Sequence, residues 1–308
     1  MSARRTVAVL MGGISCEREV SLVSGAAVAD ALAAEGYEVT SIEVGRDINA
    51  LLAALAPHPD VVFNALHGRF GEDGCVQGLL ELLDIPYTHS GLLASALAMD
   101  KPTAKRLFEG AGIPCARHVI ADRDAVLAGD VMPRPYVVKP LNEGSSVGVT
   151  IVRDSADAPA LSRDDWPFGE RVMVESYVPG RELTVAVMGD RALGVTELRT
   201  GDGFYDYAAK YTDGKTEHLV PAPVPPEIYH AAMKHAVDAH QALNCRGVTR
   251  ADLRYDDTDG EPGALYLLEI NTQPGMTPLS LVPELAAHAG IDFGALVSWM
   301  VEDASCGG

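Results

Sequence analysis

Two short stretches could hold a divalent cation. They are Arg250-Ala251-Asp252 and Glu269-Ile270-Asn271. Strand side chains alternate faces, so residues two apart point the same way. The polar segment between the stretches is long enough to let two strands run antiparallel. One face would then carry two carboxylates, a carboxamide and a guanidinium. Leu265 and Leu267 make the rest of the second stretch apolar, so its acidic end interrupts a buried pattern. Oxygen-only donors of this kind suit Mg²⁺, which keeps places for water and nucleotide phosphate. A solvated strand end would explain an isolated Glu-x-Asn better. The following Thr272-Gln273-Pro274-Gly275-Met276 favours the metal reading.

Lys139-Pro140 precedes Glu143-Gly144-Ser145-Ser146-Val147-Gly148. A lysine at a strand end can meet phosphate as a point charge, and small residues let backbone N–H groups approach phosphate oxygens. The chain has neither a Walker A loop nor a dinucleotide fingerprint, and taken alone this loop reads equally as a hairpin turn. Gly12-Gly13-Ile14-Ser15-Cys16-Glu17 joins a strand to a helix whose free N–H groups favour an anion. With Glu17 beside it, the segment fits a zwitterion, although acidic residues also open many ordinary helices. Cys16 has no apparent base and is expected to be a small buried side chain. His67-Gly68-Arg69-Phe70-Gly71-Glu72-Asp73-Gly74 follows another strand. His67 is a polar donor, a proton shuttle or a structural histidine. Glu175-Ser176-Tyr177-Val178, with Glu182 after it, resembles a strand leading into a connector that could read a base and a ribose. Tyr205 to Tyr211, with Lys210 among the aromatics, could form a lid that brings a cation to phosphate and excludes water, or an aromatic anchor for an ordinary loop.

These groups must be held by a framework, and its pattern is legible. Apolar runs at Val7–Met11, Tyr37–Val44 and Val61–Leu66 alternate with helical periodicity at Val20–Ala34 and Leu51–Leu55. That predicts a parallel sheet flanked by helices. Helices are expected over Ala94–Met99 and Pro102–Glu109. Strands at Tyr136–Lys139 and Val149–Val152 would flank the glycine-serine loop. A hairpin over Leu183–Met188 and Ala192–Leu198 would turn at Gly189-Asp190. A helix over Ile228–Leu243 would precede the strands Val248–Tyr255 and Leu265–Asn271.

The chain has 308 residues, enough for two or three small domains. Its 24 Lys plus Arg against 43 Asp plus Glu give a net charge of −19, which argues against nucleic acid or an anionic membrane as a partner. Five cysteines, without a C-x-x-C, argue against a disulfide framework or structural zinc. No apolar run approaches the roughly 20 residues that span a bilayer. The opening residues read as a lead-in to a strand and not as a signal peptide, so a cytoplasmic location is expected.

Taken together, MGGISCEREVSLVSG, LHGRFGEDGCVQGLLELLDIPYTHSG, AMDKPTAK, VVKPLNEGSSVGV, FYDYAAKY, RGVTRADLR and LLEINTQPGMTPLSLVP closely resemble the D-alanine–D-alanine ligase family of the ATP-grasp superfamily. The resemblance covers nearly the whole chain. It implies an α/β fold of three domains: a parallel-sheet domain over 1–90, then antiparallel-sheet ATP-grasp domains over 91–180 and 181–308. ATP would lie between the second and third. Lys101, Lys139 and Lys210 would contact its phosphates, with Ser146 in the covering loop. Glu175, Tyr177, Val178 and Glu182 would hold adenine and ribose. Asp252, Glu269 and Asn271 would bind two Mg²⁺ ions, for which Mn²⁺ could substitute. Glu17 would hold the first D-alanine's ammonium in a set with Ser145 and Tyr211, and His67 would approach its carboxylate. Arg250 and the Gly275 N–H would stabilise an oxyanion. Ser280 and Leu281 would place the second carboxylate. The implied activity is ligation of two D-alanines through a D-alanyl phosphate, for peptidoglycan precursor synthesis, by a homodimer.

Cys16 departs from the family's usual small residue, and Pro278 sits at a variable place. Tyr211 resembles the dipeptide-forming members and speaks against a D-alanine–D-lactate ligase. The amino-terminal motifs disfavour other ATP-grasp ligases. Retention of Arg250 and the metal set disfavours a noncatalytic nucleotide sensor, and a nicotinamide oxidoreductase lacks its fingerprint.

Overall fold

A computed structural model describes residues 4–142, 144, 148–153, 166, 169–200, 216–260 and 262–307. In chain order, the amino-terminal part comprises β1 (Thr6–Gly12), α1 (Arg18–Ala34), β2 (Glu38–Val44), α2 (Ile48–Ala54), β3 (Val61–Asn64) and α3 (Cys75–Leu82). These strands form a parallel sheet in the order β2-β1-β3, with Val9 paired to Ser41 and Phe63. Alternation along β1 divides its side chains between two cores. Val7 and Val9 pack with α1 residues Val28 and Leu32, while Ala8 and Leu10 pack with Leu51, Val76 and Leu80. β3 ends earlier than the apolar run because Asn64 Oδ1 accepts the Leu66 N–H at 3.2 Å, turning the chain toward His67.

Next come α4 (Leu92–Met99) and α5 (Lys101–Gly110). Asp100 caps α5 by accepting the Thr103 N–H at 2.9 Å, and Pro102 lies in its first turn, a combination that fixes where Lys101 begins the helix. β4 (His118–Asp122), α6 (Arg123–Ala128), β5 (Tyr136–Lys139), β6 (Thr150–Val152) and β7 (Arg171–Ser176) follow. Their strands make an antiparallel sheet ordered β4-β7-β5-β6. β8 (Arg181–Met188), β9 (Arg191–Thr200), β10 (Thr216–Leu219), α7 (Pro226–Ala242), β11 (Val248–Asp256), β12 (Ala264–Asn271), α8 (Leu281–His288) and α9 (Phe293–Asp303) complete the described elements. Their sheet runs β10-β9-β8-β11-β12, also antiparallel. The β8–β9 turn uses Gly189 at φ +61°, a conformation that favours glycine.

Two of the cores cross the sequence. Val9 and Phe63 share one with Ala186, Val248, Val282 and Val297. Ala104 and Phe108 of α5 share another with Leu183, Val185 and Leu267 of the five-stranded sheet. Thus α5 packs on the five-stranded sheet, although the four-stranded sheet follows it in the chain. All five cysteines are free.

Candidate active site

The β11–β12 register puts Asp252 opposite Glu269 and Arg250 opposite Asn271. Directly opposed residues share a face, so the four side chains belong to one wall. Arg250 donates from Nε to Asp252 Oδ1 at 2.8 Å and from Nη2 to Oδ2 at 2.7 Å. Thr184 on β8 adds a hydrogen bond to Asp252 Oδ1 at 2.6 Å. Asn271 Oδ1 accepts the Gln273 N–H at 2.8 Å. Across the gap, Lys101 Nζ lies 3.6 Å from Glu269.

One cavity gathers Arg250, Glu269 and Asn271 of this wall with the ends of the parallel sheet. Glu17, His67, Lys101, Arg250, Glu269, Asn271 and Gly275 all line it, joined by Glu72 and Gly144. It opens where β1 and β3 end, the place where parallel α/β sheets hold ligands. Glu17 stands at the N-cap position of α1 and is buried. A side chain on Gly68, which has φ +67°, would come within 2.8 Å of Glu17 Oε2, so glycine is required there. Ser15 Oγ donates to the His67 carbonyl at 2.7 Å and ties the two loops together.

His67 is fully enclosed, and burial pulls its imidazole down to about 4. It is therefore neutral at ordinary pH. Of the three roles open to it, proton shuttling near neutrality is the one this environment disfavours. Glu72 was not singled out by sequence reasoning, which treated its segment as a glycine turn. Burial first, and then Glu17, push its carboxyl up to about 8. The lining carries three carboxyls, Glu17, Glu72 and Glu269, against Lys101 and Arg250, and Arg250 is already paired with Asp252. A carboxylate alternating with glycines at a strand's end was the available signal.

The second group sits on the four-stranded sheet. Lys139 Nζ donates to Glu175 Oε2 at 2.5 Å, and Lys105 of α5 forms an ion pair with Glu175 Oε1. Burial would raise the Glu175 carboxyl, but the two lysines hold it down at about 2. Burial also lowers Lys139. Beyond β7, the Tyr177 N–H donates to the Pro135 carbonyl at 3.1 Å. Arg254, also not singled out from sequence, donates to the Val178 carbonyl at 3.1 Å and to Glu182 Oε2 at 3.3 Å. Opposite register between Arg254 and Glu182 makes that bridge possible.

Ser280 precedes the first turn of α8, and Leu281 is its first residue. Ser280 Oγ accepts the Thr277 N–H at 2.9 Å. A Cβ on Gly275 would come within 2.9 Å of that oxygen, so the backbone can approach Ser280 only as glycine. Gln273 is a further residue missed in sequence. It is buried, accepts from Asn64 Nδ2 at 2.8 Å and donates to the Leu66 carbonyl, so it bolts β12 to the loop carrying His67.

One expectation is overturned: Cys16 is exposed, not buried. It lies in the turn before α1, where its neighbour Glu17 takes the inward position. Ser145, Ser146, Lys210 and Tyr211 lie outside the described residues.

Comparison with known proteins shows the family. The family model for the D-ala D-ala ligase C-terminus matches residues 107–302, and that for the D-ala D-ala ligase N-terminus matches 49–90. The chain is 63% identical over 303 residues to a D-alanine–D-alanine ligase of Rhodospirillum rubrum, covering 98% of this chain and 99% of that one. It is 59% identical over 302 residues to the Acidiphilium cryptum D-alanine–D-alanine ligase, with 98% and 99% covered. Among solved structures, the Bacillus anthracis D-alanine–D-alanine ligase complexed with ATP superposes with a TM-score of 0.82 at 31% identity, covering 98% and 97%. VanG D-Ala:D-Ser ligase of Enterococcus faecalis gives 0.80 at 28%, covering 97% and 99%.

Proposed function

Because this chain belongs to the D-alanine–D-alanine ligase family, we propose that it joins two D-alanines into D-alanyl-D-alanine and converts ATP to ADP and phosphate. The observation that carries this reading is the cavity in which Arg250, Glu269 and Asn271 face Glu17 and Lys101, with Asp252 held directly behind Arg250 by two hydrogen bonds.

In the first step, the carboxylate oxygen of one D-alanine attacks the γ-phosphorus and ADP leaves, giving D-alanyl phosphate. Glu17 receives that substrate's ammonium, and neutral His67 supplies a hydrogen bond without repelling it. Lys101 offsets phosphate charge from the start of α5. In the second step, the other D-alanine, deprotonated at nitrogen, attacks the acyl carbon. The carbonyl oxygen gains negative charge, and Arg250 and the Gly275 N–H stabilise it. Collapse expels phosphate, the nitrogen loses its second proton, and the peptide bond remains. Ser280 and the first turn of α8 hold the second carboxylate, as a helix start favours an anion.

Asp252, Glu269 and Asn271 fit a divalent cation, since they offer oxygen donors on one face and too few to close the coordination shell without phosphate and water. When bound, Mg²⁺ would offset phosphate charge there. Three separate sheets support a three-part division with its second break near residue 180, while α5 of the middle segment packs on the third sheet. A homodimer and a cytoplasmic location remain readings from the family; among the described residues no helix is long and apolar enough to cross a membrane.

The test is ADP release with D-alanine, ATP and Mg²⁺, with the product identified by mass. One ADP per D-alanyl-D-alanine supports the reading. ATP binding without D-alanine-dependent ADP sinks it, and D-lactate and D-serine would then be tried as second substrates.

A further inference from the structure

Lys105 belongs to none of the roles above, yet its placement is unusual. It is completely buried, although lysine almost never is unless paired. It projects from α5, whose apolar residues Ala104 and Phe108 are fixed in the core of the five-stranded sheet. Its partner Glu175 lies on β7 of the four-stranded sheet. The ion pair is therefore a tie between two layers of the molecule.

Glu175 carries a second lysine, Lys139, on its other oxygen. Two ammonium groups on one carboxylate leave a net positive charge in a buried place. The lysines differ in access: the Lys139 side chain is 10% exposed and that of Lys105 is 1% exposed. Lys139 also ends β5 beside the glycine-serine loop, whereas Lys105 is locked within a helix. If Lys139 were the sole partner, moving it to a phosphate would strand a buried carboxylate, which is costly.

We propose that Lys105 is a positioning residue: it anchors Glu175 permanently from the facing layer, so that Lys139 can transfer from this carboxylate to a nucleotide phosphate. Lys139 is the mobile partner and Lys105 the fixed one. The proposal rests on the nucleotide-binding reading given above.

The first test is a structure of the whole protein with a non-hydrolysable ATP analogue. Lys139 Nζ should contact a phosphate oxygen while Lys105 stays on Glu175. Bound nucleotide with Lys139 still on Glu175 overturns the proposal and leaves the nucleotide reading standing. Failure of the wild-type protein to bind ATP removes both. The second test is Lys105→Met, read by calorimetric binding of ATP and of adenosine. With Lys105 gone, Glu175 retains Lys139, so ATP affinity should fall at least about tenfold while adenosine affinity changes less than about twofold. A merely structural lysine would weaken both ligands together, and that result overturns the proposal. Lys105→Met/Glu175→Gln removes the stranded charge and should restore the ATP-to-adenosine affinity ratio. Should the single variant fail to fold, the bound wild-type structure decides alone.

Discussion

Arg250 and Asp252, two residues apart on β11, are joined by two hydrogen bonds of 2.8 and 2.7 Å, so the guanidinium is fixed by the carboxylate beside it. Two-point pairing gives a planar group one orientation. In the proposed reaction Asp252 would serve two duties, steering Arg250 and offering an oxygen to a cation.

Arg250→Lys should therefore lose most activity, because a single ammonium cannot reproduce the fork. We expect a fall of about a hundredfold in kcat, within the range for losing one oxyanion donor. Steady-state ADP release measures it, and wild-type-like kcat would remove Arg250 from the second step.

Glu269→Gln should preserve the fold, since the Glu269 side chain is 29% exposed and sits at a strand end. Loss of one charged donor should lower activity by about a thousandfold, consistent with several kcal/mol of charge stabilisation. Excess Mg²⁺ should recover part of that loss. A folded variant with unchanged turnover and unchanged Mg²⁺ dependence would end the metal assignment.

Gly275→Ala would force Ser280 Oγ away from the Thr277 N–H, because the new Cβ would lie 2.9 Å from it. The expected effect is a rise of about tenfold in KM for the second D-alanine, the equivalent of about 1.4 kcal/mol, with little change in KM for ATP. A uniform loss across both substrates would point to general misfolding.

Gln273→Ala removes the buried link between β12 and the His67 loop. Asn64 and the Leu66 carbonyl would each lose a partner, which should cost about 1–3 kcal/mol in denaturant unfolding. KM for the first D-alanine should rise as well. Stability within 0.5 kcal/mol of wild type, on the order of a surface substitution, would contradict the link's importance.

Stability should climb as pH rises from about 5 to 6. Burial lowers His67 to about 4, His89 to about 3 and His240 to about 4, against an ordinary 6.5. In that window the unfolded histidines hold protons that the folded ones lack, so raising pH favours the folded state. Glu72 opposes this: folded it keeps a proton until about 8, whereas the unfolded carboxyl has lost it above 4.5. These three groups against one give a slope of about 2.7 kcal/mol per pH unit, and His235, which burial also lowers, adds in the same direction. Urea midpoints at several pH values check it, and a flat profile would refute neutral buried histidines.

Although α3, β4, α6, β10, α8 and α9 were not singled out, much of the order of strands and helices was readable from residue types, because apolar periodicity and glycine stops are local properties. So was the shared face of Arg250, Asp252, Glu269 and Asn271, since alternation along a strand needs no tertiary knowledge and the register then aligned them. Sequence spacing also separated Glu17, His67 and the β12 residues into candidate groups. It could not say that these groups, so far apart in the chain, line one cavity. That meeting depends on cores shared between distant segments, such as Val9 with Val248 and Val282. The same holds for the residues that were missed. Lys105, Arg254 and Gln273 carry no local signature of importance, and Glu72 carries only its glycine-flanked place at a strand's end; what matters is which buried groups surround each of them. Cys16 shows the reverse, since its small side chain suited burial while the turn before α1 faced it outward. Short-range chemistry thus determined many of the elements and the candidate donors. Burial, charge pairing and the protonation of Glu72 and His67 were decided only by the tertiary structure, because they depend on desolvation and on neighbours that local sequence does not specify.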